Sequence, residues 1–175
     1  MGRGARQLRF GFQTWVMIHI MVEPANTILP ADDPEHTEPF LGSWALVSFE
    51  YILASGEVSK PLGDSPTGSI LYQPDGRMSA QVSIRNPTKF ANDDPAGASD
   101  KEATQAWRTY LGYWGTFKVF VDKQVVVHRV VGSSFSNWIG TEQVRYFRFD
   151  GANQLILEVQ SFSGRSTLVW QRRFN

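Results

Sequence analysis

Gly68-Ser-Ile-Leu-Tyr-Gln-Pro-Asp-Gly-Arg-Met-Ser-Ala-Gln-Val-Ser-Ile84 reads as a β-hairpin, and the chain on either side repeats its pattern. Asp75-Gly76 supplies the positive φ that a tight turn between antiparallel strands demands. The return strand places Met78, Ala80 and Val82 on one face by its period of two. Upstream, Gly42-Ser43-Trp44 opens an extended run to Leu53 through Leu46, Val47 and Phe49, and Ser55-Gly56 turns it towards Val58 and Leu62. Downstream, Asn86-Pro87, Asp93-Asp94-Pro95 and Gly97 make a long loop. Ser99 then caps a helix through about Tyr110, with Glu102 completing a capping box. Further strands are expected at 115–121, 124–131, 143–149, 154–160 and 165–172, separated by Asp122-Lys123, Asp150-Gly151 and Ser163-Gly164.

About eight to ten strands with one short helix, at hairpin spacing, predict an all-β fold of the up-and-down barrel kind. Closure is favoured over an open sandwich because strands such as Val125-Val126-Val127 and Leu155-Ile156-Leu157 are apolar on both faces. A barrel with the helix and an N-terminal segment packed outside hides both faces and removes free edges. About eight strands leave an interior just wide enough for one small ligand.

Composition narrows the function. Hydrophobic residues are 42% of the 175 and aromatics 13%, which allows one domain with a large core; an aromatic-rich β core and an aromatic-lined cavity both account for the load. Lys and Arg together number 17, as do Asp and Glu, so no basic excess exists to bind nucleic acid. Zero cysteines exclude disulfides and thiolate chemistry, and lean towards a reducing, cytoplasmic setting. His19, His36 and His128 are too scattered for a histidine metal site, so no metal is expected. No phosphate-cradling glycine loop, nucleophile elbow or His-Glu-x-x-His motif occurs. Residues 1–39 read as an N-terminal extension and Pro-rich linker, and 40–175 as the barrel domain. The apolar run Phe10–Val22 behind Arg3, Arg6 and Arg9 is too short to span a bilayer, which takes roughly 20 apolar residues, so no membrane partner is expected. It stands as a poor secretory signal, an element lying against the domain, or an extension ahead of a start at Met17 or Met21.

Four blocks carry a resemblance: Phe40-Leu-Gly-Ser-Trp-Ala-Leu-Val-Ser-Phe-Glu50; Gly68–Tyr72 with Asp75–Gln81; Tyr110-Leu-Gly-Tyr-Trp-Gly-Thr-Phe117; and Ser133-Ser-Phe-Ser-Asn-Trp-Ile-Gly-Thr-Glu-Gln-Val-Arg145. In order and spacing they resemble the lipocalin-like domain family of bacteria and filamentous fungi, from about Phe40 to Arg172. The resemblance implies a calycin-type β-barrel. It also implies kinship with fungal accessory proteins of polyketide and terpenoid pathways, where such barrels serve as cyclases or isomerases, including pericyclases. Three positions depart from the family pattern: Arg129 replaces the second of a His-His pair, Val131 an acidic residue, and Ser136 a proline. A family chemistry that needs the second histidine or the acid is therefore not carried over.

Within the barrel, His128 in its valine-rich strand is a proton-exchanging group or a buried histidine bonded to a neighbouring backbone or tyrosine. Gln143, Arg145 and Phe147 share one strand face. If that face points inward, Arg145 can hold an enolate, carboxylate or phenolate oxygen; otherwise it closes a barrel end by pairing with Glu142, Glu158 or a terminal carbonyl. Tyr72, Tyr110 and Tyr113 offer phenolic donors; Trp44, Trp138 and Trp170 offer flat apolar walls, Trp44 as a plug. The expected catalytic set is His128, Arg145 and Tyr113. The expected ligand wall is Tyr72, Met78, Ala80, Phe117, Trp138, Gln143, Phe147 and Trp170. Two functions fit: a cofactor-free cyclase or isomerase acting on a hydrophobic polyketide or terpenoid intermediate, and a carrier without chemistry. Both take a small hydrophobic molecule as partner, and a homodimer is compatible with either.

Overall fold

The computed structural model describes residues 36–173; the apolar run at 10–22 and most of the linker lie outside these residues. Nine antiparallel strands follow in chain order: β1 (Gly42–Leu53), β2 (Val58–Ser59), β3 (Thr67–Tyr72), β4 (Arg77–Ser83), β5 (Tyr110–Phe120), β6 (Val125–Ser133), β7 (Glu142–Asp150), β8 (Gln154–Ser161) and β9 (Gly164–Arg172). Each strand from β3 to β9 pairs with the next, and β1 pairs with both β3 and β9. Eight strands thereby close into a barrel, with the two-residue β2 an appendage on β1. The one α-helix among the described residues, α1 (Asp100–Thr109), buries no residue of its own and lies in the β4–β5 connection. Among the described residues, no helix is long and apolar enough to cross a membrane.

Local chemistry explains the elements. At the hairpin turn, Gly76 takes φ +79°, and Asp75 accepts from the Arg77 backbone N–H at 3.1 Å. At α1 the Ser99 hydroxyl accepts from the Glu102 N–H while the Glu102 carboxylate accepts from the Ser99 N–H, satisfying two otherwise unpaired donors. Glu102 also accepts from Ala91 N–H at 2.8 Å and so ties the long loop to the helix. These hydrogen bonds, Ser99's first, lower its carboxyl from 4.5 to about 2. Strand β5 starts directly at Tyr110, ahead of the 115 expected from sequence, so the chain passes from helix to strand without a loop.

Two bulges set which side chains face in. In β1, Leu46 pairs with Trp170 and Ser48 with Val169, leaving Val47 as the extra residue. Trp44 and Leu46 point inward before it, Phe49 and Tyr51 after it; a period-two reading through the strand would have reversed one half. In β6, Val131 is the extra residue opposite Trp114 and Gly115. The valine run of β6 divides between faces: Val126 and Val130 join the interior core, whereas Val125 and Val127 pack outside with Phe120.

One end of the barrel is closed by Trp44, which is fully buried and donates from Nε1 to the Phe40 carbonyl at 2.8 Å. Arg172, from the end of β9, stacks over the Trp44 ring at 4.1 Å. Its guanidinium donates to the carbonyls of Leu41 (2.7 Å), Pro39 (2.5 Å) and Ala152 (3.1 Å). Phe40 then plugs the axis, edge-on to Tyr72, Phe147 and Phe149. A lysine keeps the charge but neither the planar stack nor the fork of donors. Arg172→Lys should therefore lower stability by about 1–3 kcal/mol in urea unfolding; an unchanged midpoint and slope would show that the end is held by packing alone.

Candidate functional site

Strand pairing places His128 of β6 and Gln143 and Arg145 of β7 inside. His128 pairs with Phe117 on one side and Gln143 on the other, and Arg145 pairs with Val126. All three polar side chains are buried: His128 is 0% exposed, Gln143 1% and Arg145 6%. Polar groups so deep in an apolar barrel must find partners or remain unsatisfied.

His128 is held on both ring nitrogens. The Tyr72 hydroxyl lies 2.8 Å from Nε2 and the Tyr113 hydroxyl 2.9 Å from Nδ1. Burial pushes His128 well below its ordinary 6.5, and the nearby Arg145 charge adds to the effect, so the ring is neutral. A neutral imidazole has one donor and one acceptor. One tyrosine therefore gives its proton to the ring while the other accepts from it, which leaves one phenol proton free. Both phenols stay protonated because burial raises them, Tyr72 well above 10 and Tyr113 also upward, although Arg145 opposes the rise in each.

Arg145 is the unusual member. Its guanidinium donates to the Val144 carbonyl at 3.0 Å and sits 5.7 Å from the Trp138 ring centre. The carboxylates that sequence offers as partners are engaged elsewhere: Glu142 pairs with Arg129 at 3.4 Å and Glu158 with Arg165 at 4.0 Å. Among the described residues no carboxylate pairs with Arg145. Trp138 comes from a short 3-10 turn (Ser136–Trp138) in the β6–β7 connection and packs edge-on to Tyr113 at 5.4 Å. It roofs the cluster at the end opposite the Phe40 plug.

The residues expected from sequence divide accordingly. Tyr72, Tyr113, His128, Gln143, Arg145 and Trp138 form one cluster, and Phe117 joins it through Tyr72 at 4.7 Å. Met78 and Ala80 face inward on β4, opposite Tyr72 on β3 and Tyr113 on β5. Phe147 lies towards the closed end against Phe40, 4.8 Å away. Trp170 faces inward on β9 with its Nε1 unpaired. Thr141, which sequence reading passed over, bridges Trp138 and Gln143. Tyr110 is 46% exposed on the outer wall. The departures at Arg129 and Val131 also face outward, Val131 at 61% exposed, so they leave the interior untouched. Two surface clefts of about 440 and 350 Å³ lie along α1, outside this cluster.

Residues 41–173 match the model of the lipocalin-like domain. The chain belongs to the lipocalin-like domain family. Over 106 residues, 54% of this chain and 96% of the relative, it is 31% identical to the 4'-hydroxy-3'-methoxypropiophenone carrier protein ppsC of Aspergillus oryzae. Among solved structures it is similar to a redesigned β-barrel, with TM-score 0.41 and 11% identity over 79% of this chain and 95% of that one. Similarity to the REP1-NXSQ fatty acid transporter has TM-score 0.39 and 11% identity over 79% and 98%.

The neutral state of His128 in this lipocalin-like barrel fixes a pH dependence. Its folded pKa lies below the unfolded 6.5, so its contribution is complete above about 6.5 and is lost as pH falls towards the folded value. Glu102 acts in a lower window, below 4.5 towards about 2. Urea unfolding between pH 7 and 5 should show the wild type losing stability more steeply than His128→Gln. Parallel profiles would contradict a neutral, buried ring.

Proposed function

We propose that the barrel binds a small aromatic, oxygen-bearing molecule of polyketide type, with Arg145 directed at one of its oxygens. The observation that carries this reading is a buried guanidinium with no carboxylate partner among the described residues. A buried charge without a counter-group is costly, and a ligand oxygen offsets that cost with charge-assisted hydrogen bonds. The surrounding wall is mostly apolar and aromatic with a few convergent polar groups, the usual make-up of small-molecule sites. The relative named as a carrier of a phenolic ketone supports the same ligand chemistry. A terpenoid bearing a comparable oxygen fits the same wall. The cysteine-free composition suits a cytoplasmic place of action, and a homodimer leaves the interior site unchanged.

Titration of the purified protein with 4'-hydroxy-3'-methoxypropiophenone, followed by calorimetry, tests the reading. Saturable one-to-one binding is expected. Arg145→Met should weaken it at least about tenfold, the scale of a lost charge-assisted hydrogen bond. Equal affinity in wild type and variant would overturn the role of Arg145.

A second reading, cofactor-free isomerisation or cyclisation, is favoured by the Tyr72–His128–Tyr113 chain. Arg145 polarises a ligand carbonyl, and one end of the chain delivers a proton to the ligand while the other end takes one up. The imidazole changes tautomer and the protein returns to its starting charge. The fold alone does not separate this from carriage. In this reading His128→Gln abolishes turnover without a comparable loss of affinity. Unchanged rates and stereochemical outcomes for every enolisable aryl ketone tried with the wild type would leave carriage as the function.

A further inference from the structure

Gln143 holds an unpaired acceptor next to Arg145. It lies on the same inward face of β7, two residues away, so the two Cα atoms are ~7 Å apart. The direction of its amide is set by Thr141. The Thr141 hydroxyl donates to the Trp138 carbonyl at 2.7 Å, so its oxygen accepts from the Gln143 Nε2 at 2.9 Å. Turning the amide round would exchange these two hydrogen bonds for one. Oε1 is therefore the end that faces the interior, and it has no hydrogen-bond partner. Buried acceptors without a donor are rare in folded proteins.

The neighbouring side chains do not fill the gap. Both ring nitrogens of His128 are taken by tyrosines, and the Arg145 guanidinium is turned to the Val144 carbonyl and to Tyr113. An ionised phenol, enol or carboxylic acid cannot fill it either, because none of these oxyanions carries a hydrogen to donate. A neutral hydroxyl can: it offers one donor and two acceptor lone pairs. One such oxygen satisfies both residues, accepting from the Arg145 guanidinium and donating to the Gln143 carbonyl.

We propose that Gln143 and Arg145 form a subsite for one protonated ligand hydroxyl, phenolic or enolic, and that Gln143 selects the hydroxyl over its ether and over its anion. This rests on the proposed binding of an aromatic ketone in the barrel. Gln143 here is a specificity-determining residue, and the Thr141–Trp138 bridge is what orients it.

The test pairs a ligand change with a protein change. Binding of 4'-hydroxypropiophenone and of its methyl ether, 4'-methoxypropiophenone, is measured by calorimetry on wild type and on Gln143→Met, which keeps the volume and removes the acceptor. The wild type should prefer the hydroxyl by about tenfold or more, and the variant should lose most of that preference. In a second measurement, on wild type alone, the pH is raised through ionisation of the phenol. Affinity should fall as the phenolate forms, with the methyl ether unaffected over the same range. An undiminished preference in Gln143→Met, or tighter binding of the phenolate than of the phenol, overturns the subsite while leaving ligand binding intact. If neither ketone binds the wild type, the binding reading and the subsite fall together. Equal binding of hydroxyl and ether to the wild type overturns the subsite alone, and shows Oε1 to be served by water.

Discussion

The pairing of β1 with β9 turns a meander into an enclosure, and the rest of the molecule depends on it. Without it the sheet has two open edges and an inner face wetted from the side. With it, every inward side chain is cut off from solvent except through the barrel ends. The Val47 bulge lets one strand serve this closure along its whole length, because it brings Phe49 and Tyr51 inward where plain alternation would have turned them out. Arg172 fixes the seam at the Trp44 end, where its stacking on Trp44 and its donation to the Pro39 and Leu41 carbonyls tie β9 to the entry of β1.

Enclosure sets the chemistry of the interior. Removed from water, His128 is neutral and its two tyrosine partners are protonated, each shifted chiefly by burial. Arg145 brings a guanidinium cation into the same space. The interior therefore combines a fixed cation, a neutral hydrogen-bonded chain and an amide acceptor, with the aromatic side chains of Phe117, Phe147 and Trp138 around them. On the proposed function, such a set would hold an oxygen-bearing aromatic molecule by direction as well as by apolar contact. The two proposed functions would use this site alike: both need the molecule held with its oxygen at Arg145, and they differ only in whether the His128 chain exchanges a proton with it.

Much of this was legible in the sequence, for reasons that differ by element. The hairpin at Asp75-Gly76 and the Ser99–Glu102 box are local devices, complete within a few residues, and both occur as expected. That Gln143, Arg145 and Phe147 share one face of β7 followed from simple alternation because that strand has no bulge, but which face points inward was settled only by barrel closure. Parity in β1 was not legible, since nothing local marks Val47 as an extra residue. The partners of His128 were out of reach for another reason: Tyr72 lies 56 residues away in sequence, and only barrel closure and strand register bring it within hydrogen-bonding distance. The same register decided the case of Arg145. Glu142 and Glu158 looked equally available in sequence, but each faces a different arginine across its strand pair. Thr141 drew no attention because its role, turning one amide, exists only once the loop has folded back over the barrel.

On the proposed function, an oxygenated aromatic molecule sits in the interior of the barrel, at Arg145. A crystal structure of the protein grown with an aryl hydroxy-ketone tests it most directly. Density is expected inside the barrel, beneath Trp138, with a ligand oxygen within hydrogen-bonding distance of the Arg145 guanidinium. Density confined to the clefts along α1, with an interior unchanged from the unliganded protein, would contradict it.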